Sequence, residues 1–586
     1  MTRLLRPDLA ELPAYKRPPE PPLGARLHLN EAARDWPLAA REALLARLAK
    51  TAFHRYPERQ AAVTERLAKR LGAPPGGVLL GPSSGALIDL VANGGLSPGE
   101  EVAVPDPGFS LYPLLVRRHG GRIRKVPIGD GFPVEPWFAA LDCRQLWLTL
   151  PNNPTGAWAS PDAVAPLLEA AAARENPPLV LIDEAYAEFA PRTFRLAVDR
   201  YENVVVARTF AKALGSAGWR LGALIGPPAL IEKLAALQLP YSLGAAQLEA
   251  LDVALDFAGE FHQLVNEVVD RRARLASAMP KLQVTPSAAN FLFVRPDPSA
   301  ELQQRGILVR AYPGTNTARI AIGSEDEARR VAEAMGGALP PRAAIRPRRL
   351  LVLDVDGVLV DATESFRRAV ARALAQLRPE LPWKDDFFHA FKRVGGFNND
   401  FRLTAGALAL HETDGLHRLH AAAGQGGFPE LDARIAALEP VAKDAVQAAY
   451  ADTRKLEQPL ILLHELQGAR GVSDVAVLTG RPPEELALAW EVLGFSLPAI
   501  CDAGPHLRKP EAAGLLQLAD AYRADAVTFV GDTRDDAECL RRARALRPEL
   551  SWRFGAVGPD RDGFASPGDL VAPDLRTLLS QLEENA

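Results

Sequence analysis

Leu179-Val-Leu-Ile-Asp-Glu-Ala-Tyr186 and Arg208-Thr-Phe-Ala-Lys-Ala-Leu-Gly-Ser-Ala-Gly-Trp-Arg220 decide how the first half of this chain is read. The first stretch is an apolar run that stops on a carboxylate, Asp183. The second sets Lys212 in a turn of small residues with a cation, Arg220, close behind. Buried parallel strands read as unbroken apolar runs, and open α/β sheets gather ligands at the carboxyl ends of such strands. Asp183, Tyr186, Lys212 and Arg220 are therefore expected around one sheet end.

Further apolar runs lie on both sides: Val78-Leu-Leu80, Val102-Ala-Val104, Leu146-Trp-Leu-Thr-Leu150 and Val204-Val-Val-Ala207. They alternate with helical stretches, which predicts an α/β fold on a buried, mostly parallel sheet. Gly81-Pro-Ser-Ser-Gly85 follows one run and precedes a helical one, so Ser83, Ser84 and Gly85 offer hydroxyls and N–H groups at a helix start, where phosphate binds. In Pro151-Asn-Asn-Pro-Thr-Gly156 the proline and glycine force a turn that presents Asn153. Taken singly, these are a solvated lysine, a turn carboxylate, a β-turn and a linker-like loop. Together they are the anchors pyridoxal phosphate needs. Lys212 would bind the cofactor covalently and later move a proton, Asp183 would pair with the pyridine nitrogen, Tyr186 and Asn153 would reach the ring oxygen, and Arg220 would meet the phosphate.

A composition break follows at Met335-Gly-Gly-Ala-Leu-Pro-Pro, and residues 339–348 read as a linker. Beyond it Leu350-Leu-Val-Leu353, Val475-Ala-Val-Leu478 and Ala526-Val-Thr-Phe-Val530 are strand-like, each running into polar chemistry. Asp354-Val-Asp-Gly-Val-Leu-Val-Asp361 places two carboxylates just past a strand, where Asp354 can attack phosphorus and Asp356 can protonate a leaving alkoxide. A negative nucleophile approaching a phosphate needs charge neutralised by a hard cation and a lysine. Gly531-Asp-Thr-Arg-Asp-Asp536 supplies metal ligands, Lys509 the ammonium, and Thr479-Gly480-Arg481 a hydroxyl and N–H groups. Any one of these alone is an ordinary turn or helix cap. The stretch from about 365 to 470 reads as a helical insert between the first two strands.

The chain has 586 residues, 48% hydrophobic and 24% charged, enough for more than one large core. Its net charge of −4 suggests neither nucleic acid nor an anionic membrane as partner. Cys143, Cys501 and Cys539 are widely spaced and form no metal-ligand pair, which fits a reducing compartment. The charged N-terminus does not read as a signal peptide, and no apolar run approaches the roughly 20 residues that span a bilayer. A cytoplasmic enzyme acting on small molecules is the expectation.

Residues 10–335 resemble fold-type I aminotransferases of the class I/II family, and within it most of all the histidinol-phosphate aminotransferases. Besides the pieces above, the resemblance rests on Leu27-His-Leu-Asn-Glu31, Tyr56-Pro57, Pro107-Gly-Phe-Ser-Leu-Tyr112, Arg305-Gly-Ile-Leu-Val-Arg310 and Arg319-Ile-Ala-Ile-Gly323. It implies a large mixed-sheet domain plus a small one within residues 1–338, the small one built from about 1–45 and 245–338. It also implies that Phe109 stacks on the cofactor, and that Tyr56 reaches the cofactor phosphate of a second subunit, making a homodimer. Arg319 would bind the amino-acid carboxylate and, with Arg310 and Tyr15, the phosphate of the phosphorylated substrate. Departures exist: Ala211 stands where a phosphate-binding serine is usual, Ser83-Ser84 replaces an acidic pair, and Asn30 is not followed by the usual Glu-Asn-Pro.

Residues 349–586 resemble phosphatases of the haloacid-dehalogenase superfamily, subfamily IA, a Rossmann-like domain with a helical cap. The resemblance implies Asp354 as nucleophile, Asp356 as acid/base, and Mg2+ between Asp354, the Asp356 carbonyl and Asp532, with Asp536 in support. Thr479 and Lys509 would complete the catalytic set. Gly395-Gly-Phe-Asn-Asn-Asp400 is a substrate-reading loop or a plain cap turn. The pairing implies a bifunctional enzyme of histidine biosynthesis: imidazole-acetol phosphate plus glutamate gives histidinol phosphate, which the second domain hydrolyses to histidinol. The rivals are another phospho-amino-acid or aromatic aminotransferase, or a decarboxylase, fused to a phosphatase of unrelated esters, and a second domain that only senses or docks.

Overall fold

The computed structural model describes residues 24–342 and 347–584, except 395, 398, 414, 415, 423–426, 467, 468, 470–472 and 502–505. Tyr15 lies outside the described residues, as do two positions of the 395–400 loop. The chain forms two compact units, Met1–Arg346 and Pro347–Ala586.

The first unit contains β1 (Ala25–Leu27), β2 (Val78–Gly81), β3 (Glu101–Asp106), β4 (Arg122–Pro127), β5 (Gln145–Thr149) and β6 (Leu179–Asp183). It continues with β7 (Val204–Thr209), β8 (Gly222–Ile225), β9 (Gln283–Thr285), β10 (Phe291–Arg295), β11 (Ile307–Tyr312) and β12 (Thr317–Ala321). Seven strands form one sheet in the order β2-β8-β7-β6-β5-β3-β4. Only β8 runs antiparallel to its neighbours; the other pairings are parallel. The apolar runs read from sequence are all strands, and β5 and β7 are buried along their whole length, which favours apolar side chains. The helix Ser84–Gly95 packs Leu87, Ile88 and Val91 on one face; Pro161–Ala172 packs Val164, Leu167 and Leu168 on the other.

A five-stranded sheet, order β1-β11-β12-β10-β9, forms the small domain. Leu248, Leu251 and Leu255 of the helix Ala245–Asp256 join the core of the large sheet. Val265, Val268 and Leu275 of Ala258–Ser277 join the small-sheet core instead. The other face of the helix Ala245–Asp256 packs Ala250, Val253 and Ala254 with Trp36, Leu44 and Phe261.

The second unit contains β13 (Arg349–Leu353), β14 (Val360–Asp361), β15 (Gln458–Pro459), β16 (Asp474–Leu478), β17 (Ala499–Ile500), β18 (Ala526–Gly531), β19 (Ser551–Ala556) and β20 (Leu570–Val571). Six of them make a sheet in the order β17-β16-β13-β18-β19-β20, with every pairing parallel. The first strand sits in the middle, so residues just past β13 face chemistry from both sides. β14 and β15 pair antiparallel and bracket the helical insert, which includes Thr363–Leu377, Asp385–Val394, Asp400–Thr413 and Asp432–Thr453. Among the described residues no helix is long and apolar enough to cross a membrane.

Candidate active sites

Asp183 ends β6 in the middle of the large sheet. The Tyr112 hydroxyl donates to its Oδ2 at 2.7 Å and the Ala185 N–H to its Oδ1 at 3.1 Å. Among the described residues no cation touches it. Burial pushes the Asp183 carboxyl up to about 6, partly offset by these two donors. A buried carboxylate without a positive partner is costly unless a ligand supplies one, and a protonated pyridine nitrogen would. Lys212 is half-buried and its Nζ donates to the Leu29 carbonyl at 3.0 Å. Burial, then the Arg319 charge, push the amine down to about 8, with Glu31 opposing and Arg220 adding. That keeps an amine able to lose its proton near neutrality.

The remaining polar groups form one chain of hydrogen bonds. Asn30 and Asn153 both donate to the Tyr186 hydroxyl, at 3.1 and 3.3 Å. Asn153 Oδ1 accepts from Arg319 Nη1 at 2.6 Å, and Arg319 Nη2 donates to the His28 carbonyl at 2.8 Å. The Arg319 guanidinium also sits 5.3 Å from the centroid of the Phe291 ring. Asn153, Tyr186 and Arg319 are thus joined, while Lys212 shares the Arg319 field. Arg310 on β11 is the register partner of Arg319 on β12, and is half-buried.

The candidate phosphate loop joins β2 to the helix Ser84–Gly95. Ser83 has φ 120° and ψ 156°, a region glycine normally occupies, and its Oγ accepts from the Ala86 N–H at 3.2 Å. Gly222 on β8 backs this loop: a Cβ there would lie 2.5 Å from the Ser84 nitrogen, so only glycine lets the two backbones meet. Arg220 is exposed with φ 52° and donates to the Ala217 carbonyl at 3.3 Å. Phe109 is half-buried, edge-on to Tyr112 at 5.5 Å. Tyr56 is 70% exposed and stacks on Tyr241 with ring centroids 4.1 Å apart. Sequence reasoning gave no role to Tyr112 or Asn30. Both lie inside quoted motifs, yet nothing in a motif says which side chain turns toward Asp183 or Tyr186.

In the second unit Asp354 follows β13, and its Oδ2 lies 2.7 Å from Lys509 Nζ, which also reaches Asp536 Oδ1 at 2.6 Å. The Val355 N–H donates to Asp354 Oδ1 at 2.7 Å. Burial pushes the Asp354 carboxyl up, with Lys509 pulling it back. For Lys509 burial works against the ammonium, and the two carboxylates outweigh it. Carboxylate oxygens of Asp354, Asp532 and Asp536 lie within 4.8 Å of one another, a hard-oxygen set that fits Mg2+. Asp536 is the least available of the three, since Lys509 and the Thr533 N–H and hydroxyl all donate to it. Gly357, at φ 71°, passes so close that a Cβ would sit 2.1 Å from Asp532 Oδ2.

The Asp356 carboxylate is not in that set. Arg481 holds it from Nη2 at 2.6 Å and Nε at 3.0 Å, which leaves the Asp356 carbonyl for a metal. Arg481 is itself gripped by Glu457 at 3.1 Å, by the Tyr450 hydroxyl at 3.1 Å and by the Glu485 carbonyl at 3.3 Å. Ser365 donates to Glu457 at 3.0 Å, and Phe366 stacks on Tyr450 at 4.9 Å. Thr479 Oγ1 accepts from the Arg481 N–H at 3.2 Å. Arg481 stands in the quoted Thr-Gly-Arg run without a side-chain role. Its partners Glu457 and Tyr450, and Ser365 behind Glu457, come from other parts of the chain, where no local pattern marks them.

Residues 25–335, more than half the chain, match the model of class I and II aminotransferases. The chain belongs to the class I and II aminotransferase family. Residues 349–544 match haloacid dehalogenase-like hydrolases, so the expected fusion of the two is present. Histidinol-phosphate aminotransferase 2 from Nitrosococcus oceani is 31% identical over 344 residues, 55% of this chain and 94% of that protein. An aromatic amino acid aminotransferase from Mycobacteroides abscessus is 35% identical over 343 residues, 56% of this chain and 96% of that one. The crystal structure of histidinol-phosphate aminotransferase from Sinorhizobium meliloti in complex with pyridoxal-5'-phosphate shares the fold, with TM-score 0.51 at 23% identity over 56% of this chain and 96% of that chain. This member of the family is an enzyme with a pyridoxal-phosphate transaminase domain, like histidinol-phosphate aminotransferases, and a phosphatase domain of a class that typically uses Mg2+.

Proposed function

We propose that this chain runs two consecutive steps of histidine biosynthesis. Imidazole-acetol phosphate and glutamate give histidinol phosphate and 2-oxoglutarate, and the second domain then hydrolyses histidinol phosphate to histidinol and inorganic phosphate. The supporting observation is the phosphoryl-transfer constellation of Asp354, Lys509, Asp532 and Asp536, carried on one chain with an aminotransferase domain similar to enzymes that make a phosphate monoester.

In the first site Ser83, Ser84, Gly85 and Arg220 would hold the cofactor phosphate, Phe109 its ring, Asp183 its nitrogen, and Asn153 and Tyr186 its oxygen. Pyridoxal phosphate, when bound, supplies a sink for the electron pair left as the substrate Cα–H bond breaks. Lys212 Nζ takes that proton and returns it to the neighbouring carbon. Arg319, already oriented by Asn153 and the His28 carbonyl, binds the glutamate carboxylate in one half-reaction and, with Arg310 and Tyr15, the phosphate of imidazole-acetol phosphate in the other. Tyr56, exposed on its own subunit, would complete the site of a second copy in a homodimer. The expected setting is the cytoplasm.

In the second site Asp354 attacks phosphorus while the bond to the alkoxide breaks, and Asp356 delivers the proton to that alkoxide. Water then hydrolyses the aspartyl phosphate, which regenerates the carboxylate. Lys509 and the Thr479-Gly480 segment face the phosphoryl oxygens. Mg2+, held by Asp354, the Asp356 carbonyl and Asp532, would neutralise charge between nucleophile and phosphate.

Purified chain given imidazole-acetol phosphate, glutamate, pyridoxal phosphate and Mg2+ should release histidinol and phosphate. Accumulation of intact histidinol phosphate would overturn the second step. The 35% identity to an aromatic amino acid aminotransferase supports a second reading, transamination of aromatic amino acids. A faster half-reaction with phenylalanine than with histidinol phosphate would favour it.

A further inference from the structure

The phosphatase cavity has a volume of about 430 Å3 and is lined by both the core and the cap. Its two arginines are already engaged. Arg481 is bound to Asp356 and Glu457, and Arg576 reaches Glu465 at 2.6 Å. Of the lining carboxylates two are buried, Asp354 and Glu485, and only Asp354 has an ion-pair partner among the described residues. Glu485, in the first turn of the helix Pro483–Leu493, lines the cavity and is only 7% exposed. Its Oε1 has no hydrogen-bond partner among the described residues.

A first-turn glutamate usually serves the helix dipole from the surface. Its neighbour Glu484 is exposed and can do that. Glu485 is instead turned inward, where the negative charges of Asp356, Asp400 and Glu457 act on it. Burial and those charges push its carboxyl up to about 8, with Arg481 opposing. A sequestered carboxyl among like charges is destabilising in the empty protein, and a cation placed beside it removes that cost. The phosphate end of a substrate is met by Lys509 near Asp354, so the group left to face Glu485 belongs to the alcohol.

We infer that Glu485 reads a positive charge on the leaving group, so that the phosphatase domain prefers phosphate monoesters of amino alcohols over neutral esters of the same size. This rests on the phosphatase chemistry proposed above but not on histidinol phosphate itself. Asp400, from the cap, adds to the same negative field. Glu485 is thus a specificity determinant contributed by the core, beside the catalytic carboxylates.

The test uses the full chain with Mg2+ and compares kcat/KM for 2-aminoethyl phosphate with that for propyl phosphate, its neutral isostere. The ammonium ester should be favoured by at least about tenfold, the scale of one partly desolvated ion pair. In Glu485→Gln the ratio should fall to about one, and Glu485→Asp should restore part of it. Taking a ratio on one preparation divides out any loss of folded protein. Should the variants be insoluble, ethanolamine should inhibit the native chain and propanol should not. A native ratio near one, a ratio unchanged in Glu485→Gln, or equal inhibition by both alcohols overturns the inference. If the ammonium preference and its Glu485 dependence hold while histidinol phosphate is left intact, the pathway step fails and this inference stands. Hydrolysis of no ester at all removes both.

Discussion

Lys212 and Asp183 are neighbours in function and opposites in charge, and burial displaces both toward neutrality. The free amine is the nucleophile, and its population rises with pH through its pKa. Acylation of Lys212 in the cofactor-free protein, followed by mass spectrometry, should therefore show a midpoint near pH 8 rather than the 10.5 of an ordinary lysine. A midpoint near 10 would mean that the amine is solvated. Lys212→Ala should abolish transamination and the visible absorbance of bound cofactor. For Asp183 the sign is different. Its native carboxyl binds a proton more tightly than the unfolded chain does, so the native state loses stability as pH rises between about 4 and 6, with the full deficit present at pH 7. At about 1.4 kcal/mol per unit, a shift of about two units sets a limit of about 3 kcal/mol. The apoprotein of Asp183→Asn should accordingly be about 1–3 kcal/mol more stable at pH 7 in urea unfolding, with the gain fading by pH 4, and should retain pyridoxal phosphate poorly.

Two glycines decide matters at the level of elements. Gly222 lets β8 touch the start of the phosphate-loop helix, and Gly357 lets the turn after β13 pass over Asp532. Backbone lies on the far side of the first contact, so Gly222→Ala cannot be absorbed by a side-chain rotation. It should raise the dissociation constant of pyridoxal phosphate at least about tenfold, as a displaced helix start loses its aligned N–H groups. Gly357→Ala combines a collision with a positive φ and should remove most Mg2+-dependent phosphatase activity while leaving transamination intact. Arg481 joins β16 to the pair β14 and β15 that brackets the cap, through Asp356 on one side and Glu457 on the other. Arg481→Lys keeps the charge but loses the planar fork, and a fall in phosphatase kcat by roughly tenfold or more is expected in steady-state assays.

The two units are separate compact bodies, and the candidate residues of each chemistry fall within one of them. Chelation of divalent metal by EDTA should therefore stop phosphate release and leave transamination unchanged, and Asp354→Asn should do the same. Loss of transamination in either experiment would show that the two sites are coupled. Much of this organisation was readable in advance. The buried strands β5, β6, β7, β13, β16 and β18 each centre on an apolar run, with polar residues such as Gln145, Arg208 and Asp474 near their ends, since a strand covered on both faces favours apolar side chains. The edge strand β4, with Arg122, Arg124 and Lys125, and the short strands of the small sheet carry mixed patterns and are not distinguishable from loops. The helix Ala245–Asp256 is apolar on more than one face, so its sequence does not say which core it joins.

The order of motifs along the chain determined the two chemistries, because a lysine, a strand-end carboxylate and a phosphate loop have few joint explanations, and so have four strand-end acid and base motifs. Tertiary structure alone decided who pairs with whom. Hydrogen-bond partners such as Tyr112 with Asp183, Arg319 with Asn153, and Arg481 with Glu457 are distant in sequence and set by packing. The burial of Glu485 beside an exposed Glu484 follows from how a helix is rotated against its cavity, and adjacent identical residues carry no trace of that.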